Sequence, residues 1–282
     1  MKKRLEEYKG NVKPVWCAGC GNYAVLNAIK RALAELGINP HEVVTVSGIG
    51  CSGRLSHYLN TYSLHGTHGR ALPTALGAKA ARPDLTVLAV GGDGDGLGIG
   101  GGHISHAARK NVDVTYVMVD NRIYGLTKGQ ASPTTPHGHT TKTTPYGVYE
   151  DTISAIPIFL AYDVSFVARS GIDTGGLAGI ITDALRHPGM SIVLVTSRCL
   201  TFPAFDYKEA AGRFAPLPDD HDPADKLRAL ELAYSVDPVY TGIFYRVTKP
   251  TLGSRLKEEV RRAEAAIGGK EATMEDLLRI FA

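Results

Sequence analysis

The chain has 282 residues, of which 44% are hydrophobic and 21% are charged. These values argue against a disordered, collagen-like or simple disulfide-stapled protein, and the length predicts one large α/β domain with additional elements. The formal net charge of +3 is too small to indicate a nucleic acid or an anionic membrane as a partner. No apolar run has the length of a membrane span, and the N-terminus lacks the apolar segment of a signal peptide. We therefore expect a cytoplasmic protein with four reduced cysteines that are free for metal or redox chemistry.

Helical and strand patterns alternate along most of the chain. Apolar residues at three- and four-residue spacing predict a helix from Asn22 to Leu36 that ends at Gly37. Short apolar runs farther along predict buried parallel strands. The predicted order is strand 42–47, helix 71–81, strand 85–90, helix 103–110, strand 112–119, strand 164–168, helix 174–186 and strand 191–196. This alternation predicts an α/β fold, with a mainly parallel sheet and helices on both faces.

Two regions depart from the alternation. Residues 121–150 are rich in Thr, Pro, Gly and His and have no periodicity, which is typical of a functional or lid-like loop. After Leu200 the pattern predicts loops and helices without strands, with helices at 256–266 and 274–280. We therefore divide the chain into a main domain, residues 1–210, and a C-terminal helical extension, residues 211–282.

A glycine-rich segment that follows strand 85–90 carries a candidate metal site. The segment Gly91-Gly92-Asp93-Gly94-Asp95-Gly96 is followed by Asn121, 28 positions after Asp93 and at the end of the next strand. Because parallel strands end at one edge of a sheet, the two side chains can converge on one ion. Their oxygens suit Mg²⁺, and the glycines let backbone N–H groups approach phosphate oxygens. The alternative is a dinucleotide-binding turn, which Gly96-Leu97-Gly98-Ile99-Gly100 imitates.

The four cysteines lie in glycine-rich or strand-end segments. Cys17 and Cys20 form a C-x-x-C pair before the first helix, Cys51 follows the first strand, and Cys199 follows the last predicted strand. All four can converge at the sheet edge that holds the Asp–Asn pair. Four thiolates can hold a zinc ion or a four-iron cluster, and the thiols alone leave zinc, a cluster and unligated core cysteines open. Their position beside the Asp–Asn pair favours a cluster.

Together these segments resemble the β subunits of the 2-oxoacid:ferredoxin oxidoreductases over roughly residues 10–210. The Gly-Asp-Gly and Asn pair is itself similar to the signature of thiamine diphosphate enzymes. One departure is Asp120, which stands where the general motif often has a second Asn. The resembling segments are 16–21, 49–52, 65–70, 91–95, 103–111 and 120–130.

The resemblance implies a thiamine diphosphate-binding fold for residues 1–210, with two cofactors and a metal ion. It assigns Mg²⁺ to Asp93, Asn121 and the Ile123 carbonyl. It assigns a [4Fe–4S] cluster to Cys17, Cys20, Cys51 and Cys199. It assigns contacts with thiamine diphosphate to Ile49, Gly50, Cys51, Ser52, His68, Gly92, Gly94, Asp95, Gly125, Leu126 and Thr127.

The implied reaction is the oxidative decarboxylation of a 2-oxoacid, in which coenzyme A takes the acyl group and ferredoxin carries the electrons away. We expect 2-oxoglutarate as the substrate and succinyl-CoA as the product, with pyruvate, a branched-chain or aryl 2-oxoacid, or a broad range as alternatives. Arg54, Lys128 and Leu126 are the candidate substrate contacts, because Arg and Lys pair with carboxylates. Solvation or diphosphate binding is the alternative role for the two cations.

The resemblance also implies an obligate partner. The activating Glu of this superfamily comes from a pyrimidine-binding domain, and this chain has room for only one such sheet. We therefore expect an α subunit to supply that Glu, in a heterodimer or its dimer. Two other classes stay open at this point: a zinc-stabilised scaffold subunit without catalytic activity, and a non-oxidative thiamine diphosphate decarboxylase, which would not need the cysteines.

Overall fold

The computed structural model describes residues 4–172 and 176–266. Its strands are β1 (Val43–Ser47), β2 (Tyr62–His65), β3 (Thr86–Gly92), β4 (Val114–Asp120), β5 (Ile123–Tyr124), β6 (Gln130–Ala131), β7 (Phe166–Gly171), β8 (Met190–Thr196), β9 (Phe214–Pro216) and β10 (Val239–Arg246). Eight of these strands form one sheet in the order β2-β1-β3-β4-β8-β7-β10-β9, and β5 pairs with β6 in a separate hairpin. All pairs in the large sheet are parallel except β7 with β10. The sheet is therefore mainly parallel, as the sequence predicts.

Helices cover both faces of this sheet. They are α1 (Asn22–Leu36), α2 (Ala71–Ala81), α3 (Gly101–Lys110), α4 (Ala155–Ala161), α5 (Leu177–Arg186), α6 (Tyr207–Gly212), α7 (Lys226–Ala233) and α8 (Leu252–Ala266). The buried residues of α1 and α5 share one core cluster, whereas those of α2, α3, α4 and α7 share the other. None of the described helices is both long enough and apolar enough to cross a bilayer.

The central strands separate these two hydrophobic cores. In β3, Val87 and Ala89 belong to one cluster, and Leu88 and Val90 belong to the other. Successive side chains of a strand point to opposite faces, so a strand covered by helices on both sides needs apolar residues at every position. This requirement explains the continuous apolar runs from which the strands were predicted.

Two helices follow their predicted bounds. The helices predicted at 22–36 and 71–81 are α1 and α2. Gly37 ends α1 with φ +67°, and its N–H donates to the carbonyls of Ala34 and Leu33. Positions 174 and 175 of the helix predicted at 174–186, and the whole helix predicted at 274–280, lie outside the described residues.

The prediction that the chain after Leu200 forms no strands is wrong. β10 pairs antiparallel with β7 and parallel with β9, so part of the predicted extension is integral to the sheet. β10 lacks the regular alternation of apolar and polar residues that identifies a strand in a sequence. Gly242 interrupts the strand with φ +134°, and the register with β7 shifts between Ile243 and Tyr245. β2 was also missed, since it is an exposed edge strand without an apolar run. The division into domains at residue 210 stays a prediction.

Replacing Phe244 by Ala tests whether β10 belongs to the core. The Phe244 side chain is fully buried in the cluster that includes α4 and α7. Its truncation should therefore lower the free energy of unfolding by about 3–5 kcal/mol. The control is Val236→Ala in the preceding loop, where the side chain is 74% exposed and the change should stay within about 0.5 kcal/mol. Denaturant unfolding measures both, and equally small losses would place β10 outside the core.

Candidate functional site

Asp93 follows β3 directly, at the carboxyl edge of the sheet, and its side chain is buried. One carboxylate oxygen, Oδ1, accepts a hydrogen bond from the backbone N–H of Asn121 at 3.4 Å. Asn121 follows β4, which is the parallel neighbour of β3. The parallel pairing thus brings together the Asp and the Asn that lie far apart in the sequence.

The turn after Asn121 presents the third predicted metal ligand. The amide oxygen of Asn121 accepts a hydrogen bond from the N–H of Ile123 at 3.1 Å. Arg122, between them, takes φ +60°, and its carbonyl accepts a hydrogen bond from the Thr135 hydroxyl at 2.6 Å. Asp93, Asn121 and Ile123 all line one cavity. A carboxylate, an amide oxygen and a backbone carbonyl are the oxygen donors that Mg²⁺ prefers.

This cavity, which we call the edge cavity, encloses about 140 Å³. Its lining includes every residue that the sequence analysis assigned to thiamine diphosphate or Mg²⁺. These residues are Ile49, Gly50, Cys51, Ser52, His68, Gly92, Asp93, Gly94, Asp95, Asn121, Ile123, Gly125, Leu126 and Thr127, and Tyr124 completes the lining. The structure therefore brings the predicted set together, while the role of each residue stays a prediction.

Tyr124 was not among the predicted contacts. Its hydroxyl donates to the carbonyl of Gly94 at 3.0 Å. A Cβ on Gly94 would lie 2.2 Å from the Tyr124 ring, so only glycine fits at this position. Tyr124 belongs to a segment that resembles the family, but the sequence offers no sign that its ring packs on the Gly-Asp-Gly turn.

Asp95 positions two of the loops around the edge cavity. Its Oδ1 accepts hydrogen bonds from the N–H of Ile49 at 2.9 Å and from the N–H of Gly69 at 2.8 Å, and it lies 2.8 Å from His68 Nδ1. A Cβ on Gly48 would lie 2.0 Å from Asp95 Oδ2, so this close approach requires glycine. Asp95 thus holds Ile49 and His68, two predicted cofactor contacts, in place through its Oδ1 atom.

Thr134 joins Asp93 to a second buried carboxyl group. Its hydroxyl lies 2.8 Å from Asp93 Oδ2 and 2.8 Å from Asp120 Oδ1. One hydroxyl proton cannot serve both carboxylates at once. Burial, and after it the Asp120 carboxylate, raise the pKa of Asp93 to about 7, and burial also raises the pKa of Asp120. A cation beside Asp93 would stabilise the charged form that burial disfavours.

The four cysteines line a second cavity of about 320 Å³, which we call the thiol cavity. Cys51, Asn121, Gly125 and Leu126 line both the thiol cavity and the edge cavity. A Cβ on Gly125 would lie 3.3 Å from the sulfur of Cys199 and 3.8 Å from that of Cys51. The thiols and the Asp–Asn pair therefore share one rim of the sheet, as the sequence predicts.

The loop between β8 and α6 contacts two of the thiols through hydrogen bonds. The sulfur of Cys17 lies 3.1 Å from the hydroxyl of Thr201. The backbone N–H of Phe202 points to the sulfur of Cys199 at 3.4 Å. Hydrogen bonds to sulfur stabilise thiolates and raise the reduction potential of a cluster that they ligate.

Without a metal, two of these thiols, Cys20 and Cys51, are poor anions. Burial, and after it the other three cysteines, raise the pKa of Cys51 to about 11, and burial raises the pKa of Cys20. Within residues 4–172 and 176–266, no three His, Cys, Asp or Glu side chains are grouped closely enough to hold one metal ion. The sulfurs are instead distributed around the thiol cavity.

The predicted substrate contacts lie at the thiol cavity. Arg54, Lys128 and Leu126 all line it, and Leu126 also lines the edge cavity. Arg198, which the sequence analysis did not single out, is a further cation in the lining. Three cations beside four thiols reduce the electrostatic cost of forming thiolates there.

The raised pKa of Asp93 predicts how the stability of the metal-free protein depends on pH. Between pH 4 and 7 the folded state keeps a proton on Asp93 that the unfolded state releases, so the free energy of unfolding should fall as the pH rises. The slope is expected to approach about 1 kcal/mol per pH unit. Asp93→Asn should flatten it, whereas Glu150→Gln, at an exposed carboxylate, should not. Urea unfolding with a chelator present measures this slope, and an unchanged slope in Asp93→Asn would contradict the account.

Comparisons with known proteins agree with this geometry. The family model described as thiamine pyrophosphate enzyme, C-terminal TPP binding domain, matches residues 48–195. A second family model, which describes the C-terminal part of the pyruvate ferredoxin oxidoreductase beta subunit, matches residues 199–259. The two matches extend from the residue after β1 into α8.

Similar curated proteins are β subunits. The 2-oxoglutarate synthase subunit KorB of Archaeoglobus fulgidus is 45% identical over 66% of this chain and 70% of its own length. The 2-oxoglutarate oxidoreductase subunit KorB of Mycobacterium tuberculosis is 45% identical over 66% of this chain and 50% of its own. The 2-oxoacid:ferredoxin oxidoreductase 2 subunit beta of Aeropyrum pernix is 43% identical over 72% and 66%. The matched region thus spans about half to two thirds of the length of the last two relatives.

A solved structure is similar over nearly the whole chain. It is a 2-oxoglutarate:ferredoxin oxidoreductase from Magnetococcus marinus with 2-oxoglutarate, coenzyme A and succinyl-CoA bound. The TM-score is 0.93 at 40% sequence identity, and the match covers 99% of this chain and 96% of that one. On the fold, the edge and thiol cavities and these comparisons, the chain belongs to the β subunits of the 2-oxoacid:ferredoxin oxidoreductases.

Proposed function

We propose that this chain is the catalytic β subunit of a cytoplasmic 2-oxoacid:ferredoxin oxidoreductase that converts 2-oxoglutarate and coenzyme A into succinyl-CoA and CO₂ and reduces ferredoxin. The observation that carries the proposal is the wall shared by the edge cavity and the thiol cavity, formed by Cys51, Asn121, Gly125 and Leu126. Oxidative decarboxylation needs a decarboxylating cofactor and a one-electron acceptor side by side. The substrates in the names of the relatives and of the similar solved structure support 2-oxoglutarate.

The edge cavity fits thiamine diphosphate and Mg²⁺. Asp93, Asn121 and the Ile123 carbonyl would hold the metal, and a cation beside Asp93 would release its proton by favouring the carboxylate. When bound, thiamine diphosphate supplies the electron sink that decarboxylation requires. Asp95 keeps Ile49 and His68 at the cavity wall, and the close contact between Tyr124 and Gly94 fixes the turn on which the diphosphate would rest.

The thiol cavity fits a [4Fe–4S] cluster held by Cys17, Cys20, Cys51 and Cys199. A site with four thiols around about 320 Å³ suits a multinuclear centre, and the cluster's iron ions would stabilise the thiolates that burial disfavours. When bound, such a cluster accepts electrons singly. Arg54, Lys128 and Arg198 offset part of the thiolate charge.

The lining of the edge cavity supports the need for an α subunit. Within the described residues its carboxylates are Asp93 and Asp95, and no glutamate lines it. Both aspartates are engaged, Asp93 by Asn121 and Thr134 and Asp95 by the loops that it positions. We infer that the Glu that activates thiamine diphosphate comes from the pyrimidine-binding domain of an α subunit. The proposal includes ferredoxin as the external acceptor and no nucleic acid or membrane partner.

Anaerobic co-purification with the α subunit tests the proposed function. The complex should be brown, should contain about four iron atoms per β subunit, and should reduce ferredoxin only with a 2-oxoacid and coenzyme A. Among the 2-oxoacids, 2-oxoglutarate should give the highest kcat/KM. A colourless zinc protein would overturn the proposal, and so would full activity of the chain without an α subunit.

Substituting single cysteines tests the ligand set. Cys51→Ser and Cys199→Ser should each lose iron and ferredoxin reduction, because these sulfurs flank Gly125 between the two cavities. Thr201→Val is the matched control, since Thr201 touches the sulfur of Cys17 without being a proposed ligand. Iron content and the absorption band that bleaches on reduction are the measurements. Full iron content in either cysteine variant would remove that residue from the ligand set.

Variants of Arg54 and Lys128 test whether these cations bind the substrate or only offset the charge of the thiolates. If either cation pairs with the distal carboxylate of 2-oxoglutarate, its change to Met should raise the KM for 2-oxoglutarate about tenfold or more and leave the KM for pyruvate within about twofold. If the cation only offsets thiolate charge, both substrates should respond equally, and the cluster potential should become more negative. Steady-state kinetics and a redox titration measure the two effects. If each variant changes the KM for 2-oxoglutarate and the KM for pyruvate by the same factor, neither cation has the substrate role.

A further inference from the structure

A third cavity, of about 430 Å³, lies beside Asp120 and shares no lining residue with the edge or thiol cavities. We call it the arginine cavity. Its walls come from the carboxyl ends of β4 and β8, from β7, from the start of α4 and from the segment between α7 and β10. This volume is within the range of small-molecule sites. Nothing in the proposed reaction uses it.

The arginine cavity has an excess of positive charge. Arg122, Arg169 and Arg213 line it together with a single carboxyl group, that of Asp120. Asp120 Oδ1 already accepts a hydrogen bond from the backbone N–H of Arg122 and lies within hydrogen-bond distance of the Thr134 hydroxyl. Arg213 pairs with Glu209, with 3.8 Å between Nη2 and Oε1. Arg122 and Arg169 then face the single carboxyl group of Asp120, which leaves one positive charge without a counter-charge.

Contacts with the protein fix the guanidinium group of Arg169, but one of its hydrogen-bond donors has no acceptor in the described part of the chain. Its Nε donates to the carbonyl of Tyr240 at 2.7 Å, and its guanidinium lies 5.0 Å from the centre of the Phe244 ring. Its Nη2 is buried and has no hydrogen-bond partner in the described part of the chain. Burial, and after it the charge of Arg122, lower the pKa of Arg169 to about 10, so Arg169 is charged at neutral pH. A buried charged donor without an acceptor is costly, which indicates an acceptor that the chain does not supply.

Arg122 is also oriented without an anionic partner. Its guanidinium stacks on Phe205, 4.3 Å from the ring centre. Within residues 4–172 and 176–266, neither Arg122 nor Arg169 forms an ion pair with a carboxylate. The hydroxyl-bearing side chains of Ser154 and Thr196 lie in the same lining. Guanidinium and hydroxyl donors around one cavity are suited to an oxyanion.

We propose that the arginine cavity binds the phosphate group of a small phosphorylated molecule. A phosphate monoester carries nearly two negative charges at neutral pH and has three acceptor oxygens. Such a group can pair with both Arg122 and Arg169 and can accept the unused hydrogen bond of Arg169 Nη2. The cavity is larger than one phosphate group requires, which leaves room for part of the attached molecule. Coenzyme A and a separate phosphorylated metabolite would supply the same group.

Calorimetric titration with inorganic phosphate tests this site. The full chain, together with any subunit that co-purifies, is first loaded with thiamine diphosphate and Mg²⁺ so that phosphate cannot occupy the edge cavity. At constant ionic strength, phosphate should bind saturably with one site per chain. Arg122→Met and Arg169→Met should each weaken this binding tenfold or more. Arg246→Met, which removes an exposed charge of β10 outside the arginine cavity, should change it less than twofold.

Repeating the titration with saturating coenzyme A identifies the source of the phosphate group. Displacement of phosphate supports the site and assigns it to coenzyme A, whereas unchanged binding supports the site and assigns it to a separate ligand. If Arg169→Met does not fold, as circular dichroism would show, Arg122→Met decides. No saturable binding, or binding that neither arginine variant weakens, would overturn the proposal. The test requires no turnover, so it stays valid if the proposed oxidoreductase activity fails.

Discussion

The parallel pairing of β1, β3, β4 and β8 brings the proposed metal ligands together at one edge of the sheet. These four strands are consecutive neighbours in the sheet. Cys51 lies after β1, Asp93 after β3, Asn121 after β4 and Cys199 after β8. Since the strands run in the same direction, all four residues emerge at one edge. A single reversed strand among them would send its residue to the opposite edge and separate the proposed metal sites.

The carboxyl edge concentrates groups that are unstable as buried anions. The Asp93 and Asp120 carboxyls lie on either side of one hydroxyl, and the four thiols share one cavity with raised pKa values at Cys20 and Cys51. Burial raises the pKa of Asp93, Asp120, Cys20 and Cys51, and nearby anions raise the pKa of Asp93, Cys20 and Cys51 further. Bound cations would offset the cost at the carboxyl groups and at the thiols, because a nearby positive charge favours the carboxylate and the thiolate. The folded chain is thus electrostatically prepared for metal ions, at the expense of stability in their absence.

Much of the fold and of the edge cavity could be predicted from sequence because the signals are local. Apolar runs identify the buried strands. The 28 positions from Asp93 to Asn121 correspond to one connection between neighbouring parallel strands, β3 and β4. Other features depend on contacts between distant segments. Asp95 binds loops that precede it by more than twenty residues, and Thr134 reaches Asp93 from a loop without periodicity. Arg169 gave no sequence signal, because its neighbours in the arginine cavity come from separate parts of the chain.

Iron anomalous diffraction from crystals of the anaerobically purified protein, with thiamine diphosphate and Mg²⁺ bound, would locate both proposed centres. Iron density should be enclosed by Cys17, Cys20, Cys51 and Cys199, and diphosphate density should lie beside Asp93, with Gly125 between the two. Iron at another place, another metal on the thiols, or a diphosphate far from Asp93 would contradict the proposal that one rim of the sheet carries both centres.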